Sequence, residues 1–296
     1  MRGRTLNRKG MSLQALFLAL PALILYTCVI IYPILNMLVS SFYSWNGVPN
    51  SPKLFVGFEN YLNFFTDYAS AYAVKNVFIL MCTGIFFTIP LAFFLATVIN
   101  KTFRGKRVFR VFYFMPVLLN RVATGLMFTF IFFPRIGPVS VILNQLHISE
   151  SVNLLGNVNT AMWTVAFVNM WCDAGFQMIL LSAGLAALPA EVYEAAEIDG
   201  VTPWQKLRYI TIPMMKGTLK ISIVLTLTGA FKIFDLVMAL TGGGPGNATH
   251  LPSTLLYEAA FSQSRFGYAN AIAIMTVLIC LGITASVNKL FKEKEI

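Results

Sequence analysis

Three polar side chains fall on one helical face of an apolar stretch: Asn169, Asp173 and Gln177, spaced i, i+4, i+8. Trp171 and Phe176 lie beside them in sequence. A second apolar stretch carries Thr228, Lys232 and Asp235 at steps of four and three, with Thr226 deeper, and a third carries Asn120 and Arg121. Ionisable groups inside apolar segments are costly and are functional candidates by default. Amides, carboxylates and hydroxyls next to aromatic rings suit a path for a polyhydroxylated solute, because hydroxyls want hydrogen-bond partners and sugar rings want flat apolar faces. A quieter reading stands beside it. Asp173, Lys232 and Asp235 could neutralise one another, pair across a subunit contact, or relay ions, and interhelical polar contacts average only about 0.6 kcal/mol. Lys232 could also meet an anionic solute, while Arg121 is assigned to structure or to an interface. No catalytic triad, carboxylate pair or metal-ligand spacing is present, so no catalytic residue is expected.

The elements that must hold these residues are set by composition. Of 296 residues, 57% are hydrophobic and 11% charged, and mean hydropathy is +0.71. A soluble domain carries about 25% charged residues, so the deficit points to an all-α polytopic membrane protein. A helix crosses the hydrocarbon core in about 20 apolar residues. Six stretches qualify, at about 13–40, 75–100, 109–134, 160–185, 217–241 and 267–288. The first is too long for a signal peptide and lacks a small-residue cleavage site. The domain boundaries that follow are an N-terminal segment 1–12, a membrane domain 13–288 with a loop 186–216, and a tail 289–296.

The net charge of +10 is not spread evenly. Lys and Arg cluster in the N-terminus, after span 2 (Lys101, Arg104, Lys106, Arg107, Arg110), after span 4 (Lys206, Arg208, Lys216, Lys220) and in the tail (Lys289, Lys292, Lys294). Only Lys53, Lys75, Arg135 and Arg265 fall in the alternate loops. The positive-inside rule then makes both termini cytoplasmic and accounts for the basic clusters without nucleic acid. Cys28, Cys82, Cys172 and Cys280 lie unpaired in apolar segments and read as small buried groups.

The loop 186–216 has its own pattern. Residues 190–199 are good helix formers with Pro189 ahead of them. Gly200 suits the left-handed residue that closes a helix, and Thr202–Gln205 has the form of a capping box with Pro203 in the first turn. Pro213 is expected to stop this second helix. Val192, Ala195 and Ala196 would give an apolar patch, and Glu191, Glu194 and Glu197 a row of carboxylates. Such an element is either a docking site or a connector lying on the bilayer, and residue chemistry alone leaves both open.

The spacing Glu194-Ala195-Ala196, then Gly200, then Ile210 and Pro213 resembles the cytoplasmic loop of permeases from binding-protein-dependent ABC importers, with Ile212 where Leu is usual. Leu18–Pro33, the segment 55–61 and the segment 234–246, with its Gly-Gly-Gly-Pro run, are similar to sugar-importing members of the maltose-type branch. The resemblance implies a type I ABC importer permease fold with six transmembrane helices. It implies a second homologous permease, two ATPase subunits, an extracellular solute-binding protein and a sugar substrate, with ATP and Mg held by the ATPases and no cofactor in this chain. This accords with the lack of a phosphate-binding loop, since Gly105-Lys106 is followed by Arg107. Glu194, Ala195, Ala196 and Gly200 would then form the coupling element, and Trp171, Phe176, Thr226 and Ala230 would line the cavity. The chain would reside in a prokaryotic plasma membrane. The glycine-rich 242–250 stretch is expected to be a flexible extracellular loop. An ion-coupled secondary transporter is the competing class, and its expected internal repeats are not visible.

Overall fold

The computed structural model describes residues 8–146 and 153–291, with side chains from residue 17 onward. Parts of the expected terminal segments, including Lys292 and Lys294, lie outside the described residues. Among the described residues the chain opens with a long helix α1 (residues 8–40), whose apolar stretch is Phe17–Ser40. It then forms a two-stranded antiparallel hairpin of β1 (Tyr43–Ser44) and β2 (Leu54–Phe55), with Tyr43 opposite Phe55. A short helix α2 (Glu59–Thr66) leads into α3 (Tyr68–Asn100). Next come α4 (Lys106–Leu118) and α5 (Arg121–Ile131), bent 100° from one another. After α6 (Pro138–Gln145) and α7 (Ala161–Ala186) come α8 (Ala190–Ile198) and α9 (Pro203–Met214). The second of these meets α10 (Lys216–Ala230) at 73°. The chain closes with α11 (Asp235–Leu240), α12 (Pro252–Tyr257) and α13 (Phe266–Leu290). α1, α3, α7 and α13 are each long and apolar enough to cross a membrane, and each bent pair qualifies as one more span.

Three expected boundaries differ. α3 begins at Tyr68 rather than 75, because Asp67 caps it by accepting the Ala69 N–H at 3.1 Å. The expected single span 109–134 is broken at Leu119, where Asn120 starts a new helix by accepting the N–H groups of Val122 and Ala123. The expected span 217–241 is interrupted between Ala230 and Asp235. No proline marks that second break. The carbonyl of Ile233, freed from helical bonding, accepts the Ser253 hydroxyl at 2.6 Å.

Prolines inside the long helices do not end them. π turns at Thr27–Ile31, Gly84–Thr88 and Lys206–Thr211 each run to just ahead of Pro33, Pro90 and Pro213. Proline lacks an N–H and clashes with the carbonyl four residues back. A wider turn accommodates it and keeps the helix going. The second helix of the 186–216 loop, by contrast, ends at Met214, one residue after Pro213, as the proline leads one to expect.

Hydrogen bonds and packing define two sides. Asn100, ending α3, donates to the Ser182 carbonyl near the end of α7. Ile99, Leu181 and Met215 share one buried cluster. The basic loop after α3 and the α8–α9 loop therefore lie on one side, called here the basic side. On the opposite side, the Tyr268 hydroxyl at the start of α13 bonds Asp67 at 2.8 Å and Ser70 at 3.0 Å. The main core joins Val77 and Leu80 of α3, Phe128 of α5, Val165 and Val168 of α7, and Leu236 and Val237 of α11. α1 contributes almost nothing to it: from Phe17 to Val39 its side chains are nearly all exposed.

Candidate functional site

Midway along α3 and α7 and at the end of α10 lies a cavity of about 320 Å³, bounded by those helices, by the start of α5 and by the break before α11. Asn169, Asp173, Phe176 and Gln177 line it from α7, and Thr226 and Ala230 from α10. Lys232 and Asp235 line it at the break, and Arg121 at the start of α5. The face predicted on α7 is thus a cavity wall, and the two interrupted helices deliver their charges to it. A helix that stops mid-membrane exposes its end groups, which is tolerated where it borders a cavity.

The charges do not pair as the spacing suggested. Asp173 accepts a 2.5 Å ion pair from Arg121, whose other terminal nitrogen reaches Asn169 at 3.5 Å. The side chains of Lys232 and Asp235 have no hydrogen-bond or ion-pair partner among the described residues, and both residues are exposed and line the cavity. Arg121, first assigned to structure or an interface, is therefore part of the cavity wall.

Beneath the charges lies a closed polar triangle. The Gln177 amide donates to the Thr226 hydroxyl at 2.9 Å, which donates to the Ser222 carbonyl at 2.9 Å. The Ser222 hydroxyl donates back to the Gln177 amide oxygen at 2.8 Å. Gln177 is buried and its bonds tie α7 to α10. Thr226 in turn rests on Gly84, where any Cβ would collide with its methyl group. Gly84 and Ser222 were missed in the sequence. Ser222 stands one turn before Thr226, and that helical spacing was the available signal.

Two expected residues lie outside the cavity. Trp171 packs edge-on against Phe128, with ring centroids 5.2 Å apart, in the core behind α7. Thr228 donates to the Val224 carbonyl of its own helix at 2.8 Å. Each is two residues, or about 200°, from a cavity-facing residue, so helical geometry turns it away.

On the basic side, α8 ends in a Schellman motif. The Val201 N–H bonds the Ala196 carbonyl at 3.0 Å and the Gly200 N–H bonds the Glu197 carbonyl at 3.2 Å. Gly200 has φ +68° with open space around it. The capping box of Thr202 and Gln205 forms as the sequence indicates. Lys206 pairs with Glu197 at 2.6 Å and holds that carboxylate below its ordinary range. The Tyr193 hydroxyl meets Thr211 at 2.9 Å, joining the two helices. Glu191, Glu194 and Ala195 are exposed, but Ala196 is buried and leaves the expected apolar patch. Ile198, Trp204 and Tyr209, not singled out in the sequence, are strongly exposed there instead.

The glycine-rich stretch is packed rather than loose. Asn76 donates to the carbonyls of Ala248 and His250, both at 2.9 Å. Thr249 bonds Thr241 and the Gly244 carbonyl, both at 2.7 Å. The buried His250 ring bonds Thr254 at 3.1 Å and Glu258 at 2.9 Å. Burial lowers the His250 pKa, against an opposing pull from the Glu258 carboxylate.

Known proteins share this architecture. The family described as binding-protein-dependent transport system inner membrane component matches residues 88–293. A probable ABC transporter permease of Bacillus subtilis, YurN, is 34% identical over 92% of this chain and 94% of its own length. The multiple sugar-binding transport system permease MsmF of Streptococcus mutans is 32% identical over 95% of each chain. A chain from the solved structure of a bacterial ABC transporter that imports the acidic polysaccharide alginate superposes with a TM-score of 0.83. It covers 98% of this chain and 100% of its own at 21% identity, a likeness of fold. With a cavity between interrupted helices, a capped helix pair below it and these relatives, the chain belongs to the inner-membrane permease family of binding-protein-dependent transport systems.

Proposed function

We propose that this chain is the transmembrane permease subunit of an ATP-driven importer for a sugar, an oligosaccharide handed over by an extracellular binding protein. The observation that carries this is a mechanical connection. The α8–α9 pair is tied internally by Tyr193, Thr211, Glu197 and Lys206, and continues through one bend at the buried Met215 into α10. α10 carries Thr226 and Ala230 into the cavity wall. A force on α8 would therefore reach the cavity without crossing a flexible joint.

On this reading Glu194, Ala195, Ala196 and Gly200 couple to two ATPase subunits, which hold ATP and Mg. Both termini and the basic side face the cytoplasm of a prokaryotic cell, and the chain crosses its plasma membrane six times. The bare apolar flank of α1 meets lipid or a second, homologous permease. The sugar path runs past Asn169, Asp173, Phe176, Gln177, Thr226, Lys232 and Asp235, with Trp171 and Thr228 supporting it from behind. MsmF is named for multiple sugars, which supports the substrate class.

A second reading, import of an anionic solute such as a uronate oligosaccharide, is favoured by one observation: Lys232 faces the cavity without a partner. Reconstituted transport tests the coupling. Glu194→Arg and Gly200→Pro should abolish ATP-driven uptake while the chain still inserts and purifies. Uptake that persists in both variants would overturn the proposal.

A further inference from the structure

The short helix α2 divides its surface in three. Asn60 and Phe64 are buried, and Asn60 donates to the carbonyls of Ser41 and Tyr43 at 2.8 and 3.1 Å. Glu59 and Asn63 border a polar cleft. Phe58, Leu62 and Phe65, at the spacing of one helical stripe, are strongly exposed, and Phe55 and Tyr68 extend the stripe at its two ends. Among the described residues, Phe42 and Tyr61 touch it at one edge, at the Phe58 ring.

The depth of this stripe follows from its neighbours. α2 is pinned to the end of α1, where the Tyr61 hydroxyl meets Ser41 at 2.6 Å. It is pinned to the start of α13 through the packing of Phe64 with Tyr268. α13 spans 25 residues. At 1.5 Å per residue it is about 38 Å long. The hydrocarbon core is about 30 Å thick, and about 40–45 Å with headgroups. α13 therefore ends inside the headgroup layer, and α2 lies beside its first turn. The first turns of α3 carry the matching signature: Tyr68 and Tyr72 rings 4.9 Å apart, with the Lys75 ammonium 5.8 Å from the Tyr72 ring. Aromatic and basic residues gather at this level of a membrane.

We propose that α2 lies flat in the headgroup layer opposite the basic side, with Phe55, Phe58, Leu62, Phe65 and Tyr68 inserted among the outer ends of the acyl chains. The occupant of this surface is lipid, continuous with the lipid around the spans.

The photo-crosslinker p-benzoylphenylalanine, placed singly at Phe58, Leu62, Phe65 or Asn63 of the full chain in its native membranes, reads the occupant directly. It inserts into C–H bonds and not into water, and only chain extracted from the membrane is scored. Lipid-mass adducts at Phe58, Leu62 and Phe65, several-fold above those at Asn63, are expected. A protein adduct at the three stripe positions would mean that another subunit or a binding protein covers α2. No adduct above the Asn63 level would mean that the stripe faces water. Either result overturns the proposal.

Discussion

Asp173 meets its partner Arg121 across the gap between two helices, in a cavity that also holds an unpartnered Lys232 and Asp235. The side chains of the pair are each about a third exposed, at 35% and 37%. Solvent screening then limits their mutual attraction to about 1 kcal/mol or less. Arg121→Gln and Asp173→Asn should each lower stability, and the double variant should lose less than the sum, with a coupling of that size in a detergent-unfolding cycle. Full additivity would show that the pair contributes nothing. His250 gives a second prediction at this scale. Its pKa is depressed by burial, so the folded state binds fewer protons than the unfolded one just below the ordinary value near 6.5. Stability from His250 is therefore present above pH 6.5 and is lost as pH falls through the depressed folded value. The decline in Tm below pH 6.5 should be shallower in His250→Gln, and an unchanged slope would contradict the assignment. The cavity face of α7 was legible from the spacing of Asn169, Asp173 and Gln177. The Arg121 pairing was not, because it depends on a bend that brings α5 across to α7.

At the scale of elements, the loop helices follow local chemistry closely. Gly200, Thr202, Pro203 and Gln205 act where their conformational preferences place them, since caps and left-handed turns depend on a few neighbouring residues. Gly200 has no side-chain crowding to relieve, so its substitution isolates the backbone cost. Gly200→Asn should retain coupled transport, because Asn tolerates the left-handed region. Gly200→Val should lose about 1–2 kcal/mol locally and uncouple ATP hydrolysis from uptake. Equal activity of the two variants would argue that the turn is not a coupling element. Four of the stretches marked by hydropathy hold the long helices α1, α3, α7 and α13, but hydropathy did not show the breaks. The bend at Asn120 had a readable cap, yet a window about 20 residues long averages across it. The gap after Ala230 has no proline and depends on a distant hydroxyl, Ser253, to satisfy Ile233. Pro213 does mark the end of its helix, which stops one residue later at Met214 after a π turn.

At the scale of the whole molecule, the chain looks unfinished. α1 is an apolar helix that, among the described residues, is partnered only near its end. The helix pair on the basic side presents Glu194, Ile198, Trp204 and Tyr209 to solvent. A protein that worked alone would have little reason to leave both surfaces open, whereas a subunit between a second permease and an ATPase needs them. The sequence resemblance implies such partners. The surfaces themselves were hidden from it, because exposure of Ile198 or Trp204 depends on how α8 packs against α9. The most direct measurement is to extract the chain from its native membranes in mild detergent and identify what accompanies it by mass spectrometry. The account predicts an ATPase and a second multi-span permease, with the ATPase lost in Glu194→Arg and Gly200→Val. A chain that purifies alone, yet moves solute down an ion gradient in vesicles, would contradict it.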